Sequence, residues 1–576
     1  MNELQPVYTL KNECHDCYRC VRECHVKAIK IKDGAASVLS EKCISCGACV
    51  KACPSGAKRV RQDIDKVKTL LKADKRVFVS LAPSWVGIFD YSAGTMVALL
   101  KKLGFNGVSE TALGAQEVSV RTARMLCGGE KGLYISSACP VVVDYIRLYK
   151  PKFTQNITPV ASPALTHSKM LKEIYGDDIY VVFIGPCIGK KNEAEKHPEL
   201  IHAALSFEEL NYWIKEEFIN VSEFKINETD KFVPETAYEG ALYPLEGGMN
   251  ETIKEAGSTD DVQLLSISSL EMVDRALEGL AFDKTFDKTN KKIFLEALAC
   301  PGGCVNGPCI AVKKSGISIV SDILSKVRRR KQIPQNPKVV VEEIYKSNPV
   351  KNKIYSLNEI TKAMKKIGKH SEVDELNCGG CGYPTCRDLA AALLSDEAEP
   401  SMCVSYMRKI AMRKAAAMLR CMPSAIVMVD NVLNIVEAND AFMRMFCGDM
   451  YEIFAARQDG LVGAAIDRIV DFSDIFKLAL QSGQDIHKEH FPVNNRLYDI
   501  SAFTIEENEI VGAIITDVTQ SETSREKIAQ KAREVITKNV ATVQEIACLL
   551  GEHMVETELL LNSIAEDYTE GGGGVY

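Results

Sequence analysis

Along residues 76–345, short apolar runs recur at helix-length intervals. "RVFVSLAP", "GLYISSAC", "IYVVFIGPC", "VQLLSISSL" and "KIFLEALAC" are strand-like, and the stretches between them have helical patterning. Strands spaced by helices predict an α/β domain with largely parallel sheets. "RRRKQIPQNPK" marks an exposed break near its carboxyl end. From about residue 412 to 520 the pattern changes to alternating β around one short helix. "PSAIVMVDNVLNIVEANDAFMRMF" reads as strand, Asp-Asn turn, strand, helix, and "LYDISAFTIEENEIVGAIITDVTQ" as two strands about an Asn turn. Beyond it, the sequence predicts a helix over Ser521–Tyr568. Ile536, Val540, Val543, Ala547, Leu550, Met554, Thr557, Leu561 and Ile564 step by four and three, an a/d seam that predicts a coiled coil or a helix packed on its own domain. "EGGGGVY" reads as a flexible end.

Length changes the picture little: 576 residues suit about four domains. The net charge of −7 argues against nucleic acid and gives no basic membrane patch. No apolar run reaches the ~18 residues that span a bilayer, and "MNELQPVYTL" lacks the basic and apolar regions of a signal peptide. A cytoplasmic protein is expected. Cysteine does change the picture. The chain has 21, mostly clustered, which in a large intracellular chain points to metal or redox chemistry.

The first cluster reads Cys14-x2-Cys17-x2-Cys20-x3-Cys24, then Cys43-x2-Cys46-x2-Cys49-x3-Cys53-Pro54. This doubled spacing is that of bacterial two-cluster ferredoxins, in which each run lends its fourth thiolate to the other cluster. Cys14, Cys17, Cys20 and Cys53 are expected on one [4Fe–4S] cluster, and Cys43, Cys46, Cys49 and Cys24 on the second. Soft thiolates suit iron–sulfur; structural zinc is the alternative. His25 stands after Cys24, where Pro is more usual. A third set, Cys378-x2-Cys381-x4-Cys386-x16-Cys403, has Gly and Pro spacers that permit a tight loop around a cube. It is similar to a small [4Fe–4S] domain of corrinoid and electron-transfer proteins, with zinc again the alternative.

Four more cysteines look isolated. Cys139, Cys187 and Cys300 end three of the strand-like runs, and Cys304 follows across "PGG". Strand carboxyl ends are where ligands gather in open α/β sheets, so the four could converge on one metal cluster. They could equally be buried structural thiols.

"SSACPVVVDYIRLYKP", "GPCIGKKNEAE" and "LEALACPGGCVNG" resemble, in order, the three signature loops of the [FeFe]-hydrogenases. The resemblance covers the central domain, and the ferredoxin repeat agrees with it. It implies an H-cluster, with Cys139, Cys187, Cys300 and Cys304 holding a [4Fe–4S] cube. Cys304 would also bridge to a two-iron unit bearing carbon monoxide, cyanide and a dithiolate amine. Dihydrogen would split there between iron and amine. Lys190 matches the family lysine that hydrogen-bonds a cyanide, the alternative being a solvated lysine beside Lys191. Pro83 and Ser84 in "LAPSW" resemble the family loop over the cluster.

The departures are informative. Ala138 stands where fast members have a cysteine that passes protons, and Arg121 and Thr122 stand in the region of the downstream acids. Gly185 and Leu298 replace two methionines, and "VNGPC" replaces a Gly-rich run. Cluster binding kept while proton delivery is weakened implies slow turnover. Residues 412–520 resemble a PAS sensor domain, expected here without a cofactor. Cys127, Cys309, Cys421, Cys447 and Cys548 are expected to be ordinary apolar-site cysteines.

The expected architecture is multidomain, α/β and α+β. It comprises a two-[4Fe–4S] ferredoxin-like domain (1–72), a two-lobed H-cluster domain (73–348), a small [4Fe–4S] domain (349–410), a PAS domain (411–520) and a signalling helix with tail (521–576). The expected function is a sensory hydrogenase with three accessory [4Fe–4S] clusters. It would use dihydrogen and a redox partner such as ferredoxin, dimerise through the carboxyl-terminal helix, and address a kinase or phosphatase. A metabolic hydrogenase, an iron–sulfur assembly protein lacking the two-iron unit, and an interaction scaffold with structural clusters are the rivals.

Overall fold

The structure is a computed structural model. It describes residues 5–519 apart from 222–223, 225, 258, 283–290, 311–315, 331–332, 334–335, 340–341, 458 and 495, together with positions 535 and 538. The expected coiled coil therefore lies outside the described residues. Two compact units are present, Met1–Met407 and Arg408–Tyr576. No described helix is long and apolar enough to cross a membrane.

In the first unit the apolar runs are strands, as the sequence predicts. Gly107–Glu110, Arg76–Leu81, Ile179–Gly185 and Ala203–Ser206 form a parallel four-stranded sheet in that order. Val262–Ser268, Lys292–Leu298 and Gly132–Ile135 form a parallel three-stranded sheet. These are two lobes. Side chains on both faces of Arg76–Leu81 and Lys292–Leu298 are buried, which is why these runs are nearly continuously apolar. The intervening helices start where the sequence supplies a cap. Ser92 accepts from Thr95 N–H, Ser162 precedes Pro163, and Ser206 with Glu209 makes a capping box.

The amino-terminal cysteines sit on a small frame of one hairpin, Ile29–Lys32 with Ala35–Val38, one antiparallel pair, Val7–Thr9 with Lys58–Val60, and two short helices, Arg19–Glu23 and Ala48–Ala52. Gly47 opens the second helix at φ +79°, and a Cβ there would lie 2.5 Å from Pro308 and 2.7 Å from Ile188. Only glycine lets the ferredoxin-like frame approach the loop after Cys304 this closely. Lys51 fastens the contact by donating to the Asn306 carbonyl at 2.7 Å.

The third cysteine set packs on the amino-terminal frame. Ile31 N–H donates to Glu397 O at 2.9 Å, Lys30 pairs with Asp396 at 2.7 Å, and Lys42 pairs with Glu397. The boundary expected at 410 falls inside the helix Val404–Cys421.

In the second unit, five antiparallel strands run Ile435–Ala438, Ala425–Asp430, Ile510–Asp517, Arg496–Glu506 and Ile486–Val493 across the sheet. The expected strand, turn, strand, helix opening is present, with Asn439 capping Asp440–Phe446. Cys447 is half-buried, whereas Cys421 and, in the first unit, Cys127 are exposed and do not sit at apolar positions; Cys309 is buried.

Candidate functional site

Every strand end named above that carries a candidate residue faces one region between the two sheets. Arg76–Leu81 delivers Pro83 and Ser84, Gly132–Ile135 delivers Ala138 and Cys139, Ile179–Gly185 delivers Cys187 and Lys190, and Lys292–Leu298 delivers Cys300 and Cys304. Cys139, Cys187, Cys300 and Cys304 line one small hollow together with Pro186, Leu298 and, from the ferredoxin-like frame, Cys46. Three of the four, Cys139, Cys187 and Cys304, also border a second cavity of about 100 Å³. That cavity is lined by Pro83, Ser84, Thr111, Ala138, Phe183, Lys190, Tyr243, Met249, Glu296 and Leu298 as well.

The thiols have the environment a cationic cluster needs. Burial raises Cys187 to about 11 and pushes Cys139, Cys300 and Cys304 up, so none is a comfortable thiolate alone. Against that, Val142, Ala299 and Val141 N–H groups act on Cys139, and Lys190 and Gly189 N–H groups on Cys187. Cys139 caps the helix Pro140–Tyr149, and Cys187 precedes Gly189–Lys196, so both sulfurs lie where N–H groups favour negative charge. The Lys190 ammonium acts on Cys139, Cys187 and Cys304 in the same sense.

Lys190 is 8% exposed, so the solvated alternative fails. It donates to Ser162 Oγ at 2.9 Å and Glu193 Oε2 at 2.6 Å. Lys191 is buried too, but points away, to Asp63 and Glu209 at 2.9 and 2.8 Å. Ser84 Oγ is buried with no hydrogen-bond partner among the described residues, a donor left for something that fills the cavity.

The departures find physical reasons. A Cβ on Gly185 would lie 2.6 Å from the Phe183 ring, so Phe183 occupies the space a longer side chain at 185 would take. Met249 supplies a thioether from elsewhere in the chain. Arg121 pairs with Glu342 at 2.7 Å, and Thr122 donates to Val118 O of its own helix at 2.7 Å; neither lines the cavity.

Sequence reasoning missed Glu296. It accepts N–H donations from Met249 at 3.3 Å and Asn250 at 3.2 Å, and burial raises its pKa to about 7. A lone carboxyl inside "KIFLEALAC" was the signal available. His167 was also missed. It is fully buried, with Nδ1 2.7 Å from Ser80 Oγ and Nε2 2.8 Å from Ser109 Oγ, and Ser80 reaches Thr111 at 2.8 Å.

The other sets group as the crossed pattern expects. Burial raises Cys20 to about 11, and the thiols that act on it are Cys14, Cys17 and Cys53. Burial raises Cys46 to about 12 and pushes Cys49 up as well, and Cys24 and Cys43 act on both. Ala28 N–H donates to Cys24 Sγ at 3.2 Å and Ser45 N–H approaches Cys43 Sγ at 3.4 Å. Cys378, Cys381, Cys386 and Cys403 line a pocket of their own with Tyr383. Among the described residues, no three His, Cys, Asp or Glu side chains close on a single ion; the Cys139 and Cys378 sets each line a hollow instead. Four thiols around a space, with N–H donors aimed at sulfur, fit an iron–sulfur cube in each set.

Such a chain is an iron–sulfur protein with a mostly apolar cavity of about 100 Å³ beside one thiol set. The family description "Iron only hydrogenase large subunit, C-terminal domain" matches residues 75–308, a 4Fe-4S dicluster domain matches 13–58, and an Fe-S cluster domain matches 374–405. Residues 75–308 are thus similar to the large-subunit domain of the [FeFe]-hydrogenases. It is 26% identical over 365 residues to iron hydrogenase 1 of Clostridium pasteurianum, covering 52% of this chain and 63% of that protein. It is 26% identical over 289 residues to the periplasmic [Fe] hydrogenase large subunit of Nitratidesulfovibrio vulgaris, covering 42% of this chain and 68% of that one. The chain thus spans a little under two thirds of the first relative. A solved [FeFe]-hydrogenase from Chlamydomonas reinhardtii aligns over 50% of this chain and 100% of its own at 17% identity and a TM-score of 0.38. The PAS domain of nitrogen regulation protein NR(II) from Vibrio parahaemolyticus aligns over 18% of this chain and 96% of its own at 16% identity and a TM-score of 0.14.

Proposed function

We propose that the chain is a sensory [FeFe]-hydrogenase that binds dihydrogen and cleaves it slowly and reversibly to protons and electrons. The observation that carries the reading is one cavity bordered by Cys304, Lys190 and the unpartnered Ser84 hydroxyl, with Ala138 at the position of the family's proton-passing cysteine. An H-cluster bound there, held by Cys139, Cys187, Cys300 and Cys304, would supply a Lewis-acidic iron and a basic amine for heterolysis.

The chain's own residues do the rest. Lys190, fixed by Ser162 and Glu193, offers a buried ammonium to an anionic diatomic ligand. Ser84 offers a hydroxyl donor, and Pro83, Phe183 and Leu298 exclude water. Ala138 has no titratable group, so proton movement falls to Glu296, a carboxyl in the same cavity with a pKa near the operating range. A proton held at a group that must exchange through a packed wall moves slowly. Slow chemistry suits a reporter, in which occupancy matters and flux does not. The second unit resembles a PAS sensor domain and would turn cluster state into altered contact with a signalling protein, with ferredoxin as redox partner and dimerisation through the carboxyl-terminal helix.

The test is infrared spectroscopy of anaerobic protein matured with the two-iron cofactor. Carbon monoxide and cyanide bands that shift under dihydrogen are expected in the wild type and absent in Cys304→Ala. A full iron–sulfur complement without such bands would leave only a cluster scaffold. Turnover as fast as that of the prototypical hydrogenases would make the protein a metabolic enzyme.

A further inference from the structure

We propose that the contact between the third cysteine loop and the ferredoxin-like frame is an electron junction joining the Cys378/Cys381/Cys386/Cys403 set directly to the Cys24/Cys43/Cys46/Cys49 set. The inference rests on the reading that each set of four thiols holds a cluster, which the cluster-domain matches at 13–58 and 374–405 support.

Three observations carry it. First, the approach is as close as backbone allows. Gly382, at φ +93°, packs on the helix Arg19–Glu23, and a Cβ there would lie 2.8 Å from Val21 and 3.0 Å from Arg22 N. Arg22 donates to the Gly380 carbonyl at 3.2 Å. The two glycines flank Cys381, so the contact brings a ligand of the third set onto the helix that ends at Cys24.

Second, Tyr383 stands between the two sets. It is 6% exposed, its hydroxyl has no hydrogen-bond partner among the described residues, and it lies in one buried cluster with Cys381, Cys24 and Val21. Lys27 likewise lies within reach of both Cys24 and Cys381. The loop of the outer set, Cys14/Cys17/Cys20/Cys53, meets the edge of the same contact, through Arg22 to the Cys17 carbonyl at 3.1 Å and the Tyr18 hydroxyl to Ser401 Oγ at 3.4 Å, while Lys42, next to Cys43, pairs with Glu397, between Cys386 and Cys403, at 2.5 Å.

Third, the Cys24 set faces the hydrogenase site on its other side, because Ser45 and Cys46 line the same hollow as Cys139, Cys187, Cys300 and Cys304. The middle set is therefore a three-way node. Each dihydrogen oxidised yields two protons and two electrons. One electron passing from a reduced middle set reduces an oxidised third set, with no bond made or broken. The third set, four residues before the second unit begins, would then follow the gas without passage through the outer set.

Low-temperature electron paramagnetic resonance of the full chain, reconstituted with iron and sulfide and reduced with dithionite, tests this without any hydrogen chemistry. Neighbouring reduced clusters split each other's signals. We expect the splitting between the middle and third sets to persist in Cys14→Ala/Cys17→Ala and to collapse in Cys378→Ala/Cys386→Ala. Splitting of the third set that vanishes when the outer set is removed would overturn the junction. Tyr383→Phe should keep its iron and shift the third set's midpoint negative by loss of an O–H donor; an unchanged midpoint would remove Tyr383 from the bridge. If the infrared bands fail to appear while the splitting behaves as expected, the hydrogen reading falls and the junction stands.

Discussion

Glu296 lies in a wall that is otherwise mostly apolar, and its protonation is set by two opposed influences. Burial lifts it to about 7, while the N–H groups of Asn250 and Met249 pull it down. Its folded pKa lies above the ordinary 4.5, so the folded protein keeps a proton that the unfolded chain releases. Stability contributed by this group therefore falls as pH rises from about 4.5 to 7 and is level beyond. Glu296→Gln should flatten that part of a melting-temperature profile recorded between pH 4.5 and 8. The same variant should lose any pH midpoint near 7 in dihydrogen turnover, with the rate down by about 10-fold or more. His167 behaves in the opposite sense. Burial depresses it to about 3, so it stays neutral and links Ser80 to Ser109 through most of the acid range.

At the scale of elements, the strands were legible because parallel strands buried on both faces must be apolar almost throughout. The convergence of Cys139, Cys187 and Cys300 was legible for the related reason that such strands end on one side of a sheet. The crossed grouping of the first eight cysteines followed from spacing alone. Glu296 and Tyr383 did not stand out, since a buried carboxyl or tyrosine differs from an exposed one only by what surrounds it. Where the third cysteine loop packs was hidden for a similar reason: its closest approach is made by Gly380 and Gly382, which carry no side chain to advertise it, and its ion pairs use lysines and acids that look like any surface charge. The same device seats the ferredoxin-like frame through Gly47. Gly47→Ala adds a Cβ at 2.5 Å from Pro308 and requires a left-handed backbone of a residue that disfavours it. A loss of about 1–3 kcal/mol is expected in denaturant unfolding of the first unit. Slower electron exchange between Cys46's set and the Cys304 site should accompany it in stopped-flow absorbance.

At the scale of the molecule, all sixteen candidate ligand thiols lie in the unit Met1–Met407, and most are buried or half-buried. A set of raised thiols gathered around hollows stabilises the fold only when a cation shares their charge. Stripping the iron with a chelator under reducing conditions should lower the melting temperature of this unit well below that of the loaded protein. Calorimetry should leave the transition of residues 408–519 in place. The two units are then separable in their stability.

The cavity beside Cys304 has one more consequence, which concerns what can enter it. Its wall is made largely of proline, alanine, phenylalanine, methionine and leucine carbon. A diatomic gas without charge or dipole partitions into such a space without shedding a hydration shell, whereas an ion would have to give up its water. Entry of gas is thereby set apart from Debye screening, which governs the meeting of charged protein surfaces. On the proposed reading, entry of the gas would answer to dissolved concentration alone, and electron exchange with a charged partner to ionic strength as well.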